Sequence, residues 1–143
     1  MLYYKVGDNM KKIILVVGLL FLVTGCDNEP IKDKLECTFD VESGDYFTNS
    51  VMVINFDGAR AEDITMDITL SYFDESSISK VKEILITQKT NLENIGYSVS
   101  LSTGAGFERL SAYGTYGTLA ASETNGTYQM TKESLENAGY ICK

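Results

Sequence analysis

Histidine is missing altogether from this chain. That absence removes Ser-His-Asp and Cys-His catalysis and His-ligated zinc together. Carboxylate dyads, Lys or Tyr bases and all-oxygen metal sites are the chemistry that remains. Basic residues are scarce, 12 Lys+Arg against 20 Asp+Glu. From Cys26 to Lys143 the balance is 9 − 19 = −10. Such a surface repels phosphates, which argues against nucleic acid, and it offers no polybasic grip on anionic lipid. Acidity of this kind serves solubility and names no partner. Proline occurs once, at Pro30, and there is no internal repeat or low-complexity run. Long apolar runs are absent too. Ile13 to Val23 is 11 residues, whereas a membrane-spanning helix takes about 20.

The short apolar run has its own meaning. Lys11 and Lys12 precede it, and Val23-Thr24-Gly25-Cys26 follows. A basic start, a short apolar core and a small-residue cleavage point make a secretory signal. The last four residues resemble the bacterial lipobox: an aliphatic residue, a small residue, Gly or Ala, then Cys. The resemblance implies a diacylglyceryl group on the Cys26 thiol and cleavage between Gly25 and Cys26. Two acyl chains anchor stably where one is marginal, at about 0.8 kcal/mol per buried methylene. Residues 1–25 are therefore expected to be a signal peptide. A Met-Lys-Lys start at Met10 points to that residue as the true initiator. The expected address is the extracytoplasmic face of the cell membrane, with membrane lipid as the partner of Cys26.

Residues 26–36 are polar and carry Pro30, the composition of a tether. Residues 37–143 are long enough for one modest core. Cys37 to Glu42 and Val51 to Phe56 read as strands, with Ser43-Gly44-Asp45 and Asp57-Gly58 as turns. Ile64, Met66, Ile68, Leu70 and Tyr72 alternate with polar residues, a strand with one face on a core. Ile78, Val81, Leu85, Leu92 and Ile95 then make a helical stripe, with Asp74, Ser76 or Ser77 as its cap and Gly96 at its end. Tyr97 to Leu101 and Phe107 to Tyr116 read as strands around Gly104-Ala105-Gly106, and Ala121 to Gly126 as loop. Thr131 and Gly139 frame a short final helix. The expected fold is α+β: a mostly antiparallel sheet of about five strands, one long amphipathic helix and a short C-terminal helix, in the order β-β-β-α-β-β-α.

With Cys26 lipidated, Cys37 and Cys142 remain as an even pair outside the reducing cytoplasm, so one disulfide is expected. A redox pair would sit closer, as in C-x-x-C. At this point the chain resembles a group of small bacterial lipoproteins of unknown function, YehR-like in outline. The ending Thr131 to Lys143, a helix followed by Gly139-Tyr140-Ile141-Cys142-Lys143, carries most of the likeness. Cys37 opens the domain as a partner cysteine does in that group. The resemblance implies no catalytic residues.

Other constellations are weaker. Asp40-x-Glu42-x-x-Asp45 lacks EF-hand spacing, and Gly104-Ala105-Gly106 lacks the Lys and helix of a phosphate loop. Glu62-Asp63 and Asp74-Glu75 are adjacent, and neighbours on a strand face opposite ways. Asn125-Gly126-Thr127 matches a glycosylation acceptor in form and reads as a turn. Tyr113, Tyr116, Tyr128 and Tyr140 suit either a binding face or strands. No catalytic residue, metal site or cofactor is expected. The functional expectation is a lipid-anchored, non-catalytic binding or accessory module at the cell envelope, with an envelope protein or a small molecule as its ligand. The alternatives are a small envelope enzyme using carboxylate or Tyr chemistry, or a minor solute-binding component.

Overall fold

The computed structural model describes residues 34–143. The expected signal peptide with Met10 and Gly25, Cys26, and the expected tether up to residue 33 lie outside the described residues. The fold is α+β, with a six-stranded antiparallel sheet backed by helices.

Three strands form a meander. β1 (Lys34–Ser43), β2 (Tyr46–Asp57) and β3 (Arg60–Tyr72) pair antiparallel through two tight hairpins. Gly58 takes φ +63 in the second, where a left-handed residue suits the turn. β1 starts at Lys34 rather than Cys37, so the last three residues of the expected tether belong to the sheet. Leu35 explains this: it is fully buried and adds one more inward residue to the alternation.

α1 (Ile78–Asn94) follows a 3-10 turn at Glu75–Ser77, which Asp74 caps by accepting from the Ser76 amide at 2.8 Å. Val81, Leu85, Gln88 and Leu92 form its buried stripe, while Ile78 and Ile95 are only half-buried. Gly96, at φ +105, ends it. β4 (Ser98–Gly104) and β5 (Phe107–Thr115) form the next hairpin. β5 pairs with β3, so the sheet order is β4-β5-β3-β2-β1-β6. β3 and β4 therefore run parallel with β5 between them, and α1 packs over β3, β5 and β4.

The C-terminal part departs most from expectation. Ala121–Thr124 is one helical turn, α2, where loop was expected. α3 (Tyr128–Asn137) starts earlier than expected. Its N-cap is Thr127, which accepts from the Met130 amide at 3.3 Å; Thr131 is inside the helix and fully buried. A sixth strand, β6 (Ile141–Cys142), pairs with β1. The sequence predicts about five strands and a final helix; two residues carry no periodicity, so β6 exists only through its partner strand.

One face of the sheet carries the core. Leu35, Met52, Ile54, Ile64, Met66, Ile68, Leu70 and Leu110 are at most 1% exposed and meet Val81, Leu85, Leu92 and Leu135 from the helices.

Candidate functional site

Cys37 and Cys142 are bonded, as expected. They are register partners on β1 and β6. Next to them Glu36 and Lys143 exchange both backbone hydrogen bonds, at 3.4 and 2.8 Å. The cysteines thus occupy a non-hydrogen-bonded pair, where opposed Cα atoms approach most closely; theirs are 4.1 Å apart. The bond locks the chain end across the start of β1. Tyr140 supports it from within, its ring tilted against Phe39 at 5.2 Å and its hydroxyl within 3.3 Å of the Ser50 hydroxyl.

The sheet face opposite the helices is polar. Across it the register sets Asp40, Asn49, Thr69, Arg109 and Ser102 in one row, and Thr38, Val51, Asp67, Ser111 and Ser100 in the next. These side chains hold one another. The Asn49 amide donates to Asp40 at 2.6 Å, Asn55 to Asp63 at 2.7 Å, Ser111 to Asp67 at 2.5 Å and Arg109 Nε to Thr69 at 3.1 Å. Carboxylates that accept a neighbour's proton donor in this way are fixed in place.

A third cluster lies inside. Glu123, on α2, is 2% exposed and Tyr97, at the end of the α1–β4 connection, is 4% exposed. Glu123 Oε2 and Tyr97 Oη have no hydrogen-bond partner among the described residues. Burial pushes the Glu123 carboxyl up to about 7. Burial, and then the nearby Glu123 charge, push the Tyr97 hydroxyl well above its ordinary value. Nothing in the local sequence marks Glu123: it sits among Ser, Thr, Asn and Gly and reads as loop. The other buried acid, Glu108 on β5, accepts from Thr103 at 2.7 Å and lies 3.8 Å from Lys82 Nζ.

The residues singled out in the sequence do not converge. Asp40 serves Asn49, while Asp45, in the β1–β2 turn, pairs with Lys80. A bulge falls between β2 and β3 at this point: Asn55 opposes Asp63 but Phe56 opposes Ala61, leaving Glu62 unpaired in the ladder. The strict alternation assumed for Glu62 and Asp63 is broken there; Glu62 is exposed and Asp63 is held by Asn55. Asp74 is a cap. The tyrosines divide. Tyr140 and Tyr128 pack on Phe39 and Phe56, whereas Tyr113 and Tyr116 are exposed, with Arg60 3.9 Å over the Tyr116 ring. Gly104-Ala105-Gly106 is a hairpin turn. Among the described residues, no three His, Cys, Asp or Glu side chains gather as a metal site would need, and no helix is long and apolar enough to cross a membrane.

No protein-family model matches the chain, and no curated protein matches it. An NMR structure of a protein from Streptococcus pneumoniae TIGR4 is similar to it with a TM-score of 0.46 and 11% identity, over 85% of this chain and 92% of that one.

Proposed function

We propose that the chain is a bacterial lipoprotein, cleaved between Gly25 and Cys26, diacylated on Cys26 and held on the extracytoplasmic face of the cell membrane. Residues 34–143 then act as a non-catalytic binding or accessory module. The observation that carries this reading is the pairing of the other two cysteines. Cys37 and Cys142 are spent on each other, and such a bond suits an oxidising compartment. That leaves Cys26, the residue at the lipobox position, as the third cysteine. Only residues 27–33 separate it from β1. The polar sheet face supports binding over chemistry, because Asp40, Asp63 and Asp67 on it are already engaged with Asn49, Asn55 and Ser111.

A small envelope enzyme has one observation in its favour, the Glu123 carboxyl lifted to about 7 beside Tyr97. Both side chains are buried, so a substrate reaches them only if the packing around them opens.

Intact mass of the full chain extracted from bacterial membranes tests the main reading. The expected mass is that of Cys26 to Lys143 plus a diacylglyceryl group, with two alkylatable thiols appearing only after reduction. Cys26→Ala should move the protein out of the membrane fraction. An unprocessed chain whose Cys26 thiol alkylates without reduction would sink the proposal.

A further inference from the structure

β4 ends the sheet, and no strand among the described residues pairs with its outer side. An edge strand presents backbone N–H and C=O groups that template another strand, and proteins blunt such edges with charge, proline, bulges or a covering element. The two ends of this sheet differ. β1 carries Lys34, Glu36, Asp40 and Glu42, and β6 is bonded across it. Ser98-Val99-Ser100-Leu101-Ser102-Thr103-Gly104 has no charge and no proline, in a chain that is 22% charged. Its pairing with β5 shows no register shift. Leu101, at its midpoint, is 41% exposed although it stands opposite the buried Leu110.

α1 adds to this edge. Lys80 reaches Asp45 at the β1–β2 turn, while Lys82 reaches Glu108 on β5. The two flanks of α1 therefore look in opposite directions along the sheet, and the Lys82 flank looks toward β4. Ile86, one turn beyond Lys82, shares that flank and is 55% exposed. Glu108 links Lys82 to Thr103 of β4. Helix and strand then run antiparallel from that level, which brings Ile86 close to the level of Leu101.

We propose that β4 is a dimerisation edge, pairing antiparallel with β4 of a second copy about a two-fold axis at Leu101. The strand is self-complementary in that register. Leu101 meets its own copy, Ser100 meets Ser102, Val99 meets Thr103 and Ser98 meets Gly104. The contact is isologous and closes on itself. No like charges meet across it. Elsewhere the chain repels its own copy, with a net charge of −8, so association is least opposed at this uncharged edge. The same axis lays the two α1 helices side by side with Ile86 near its copy, while Lys82 and Glu93 each stay paired within their own chain, to Glu108 and Lys89. One two-fold axis brings both exposed apolar side chains, Leu101 and Ile86, onto their own copies, and that double self-matching selects a second copy over an unrelated strand.

Sedimentation of the full chain in mild detergent tests this. The wild-type chain should sediment at twice the chain mass. Leu101→Lys should halve that mass, and Ile86→Lys should weaken the dimer. Leu101→Cys should give a covalently linked dimer on mild oxidation, and Tyr116→Cys, equally exposed but off the edge, should not. The cross-link decides the matter even where the lysine variants fold poorly. A wild-type chain that stays monomeric at every concentration overturns the proposal. So does a dimer that ignores Leu101→Lys and fails to link through Leu101→Cys.

Discussion

Glu123 is the residue whose surroundings depart furthest from what its type prefers. A carboxyl buried without a partner is costly when ionised, so the folded chain holds its proton longer. Its folded value is about 7 against an ordinary 4.5. Between those values the folded chain binds more protons than the unfolded one, so stability falls as pH rises. The contribution is fully present below 4.5 and lost above about 7, and amounts to up to about 3 kcal/mol. Glu123→Gln keeps the shape and removes the charge. The variant should unfold at higher urea than wild type above about pH 7, with the difference vanishing toward pH 4.5. Midpoints measured across that range check it; a parallel pair of curves would place Glu123 in water.

At the scale of elements, the ends of α3 separate what composition suggests from what packing selects. Thr127 and Thr131 are equally good caps by residue type. Only Thr127 accepts from an amide at the helix start, while Thr131 is fully buried and its hydroxyl has no partner among the described residues. Thr127→Ala should cost about 1 kcal/mol and Thr127→Ser should restore most of it. Thr131→Val should be neutral or stabilising, because an unmet buried hydroxyl is replaced by a methyl. Chemical denaturation of the three variants distinguishes the two positions. α1 shows the opposite case. Its periodicity located it correctly, and Gly96 marks its end because a Cβ there would collide with the Thr118 carbonyl.

For the whole molecule, the Cys37–Cys142 bond ties together positions 105 residues apart. It closes nearly the entire described chain into one loop. In the chain-entropy account such a closure stabilises by up to about 4.7 kcal/mol. Replacing both cysteines by serine should lower the unfolding free energy, measured by chemical denaturation, by most of that amount. Reductant should do the same to wild type and nothing to the double variant. The loss should also free β6, since two residues of ladder cannot hold a chain end alone; faster amide exchange from Tyr140 to Lys143 would register that.

Alternation alone determined the central strands, because Ile64 to Leu70 can bury one face in only one phase. The helical stripe from Val81 to Leu92 determined α1, and Gly58, Gly96 and Gly139 marked turns whose positive φ glycine favours. The disulfide partners followed from setting Cys26 aside at its lipobox-like position and pairing the two cysteines that remain. Tertiary structure decided the rest. β6 has no pattern of its own and is made by β1. The bulge at Glu62 lies outside the alternation of Ile64 to Tyr72 and is set by the pairing of β3 with β2. Glu123 is buried by what folds over it, and the uncharged strand at Ser98 to Gly104 becomes an edge only through the order of the sheet. Local periodicity fixes which face of an element is apolar; the placement of elements against one another fixes what that face, or a polar residue beside it, finally meets.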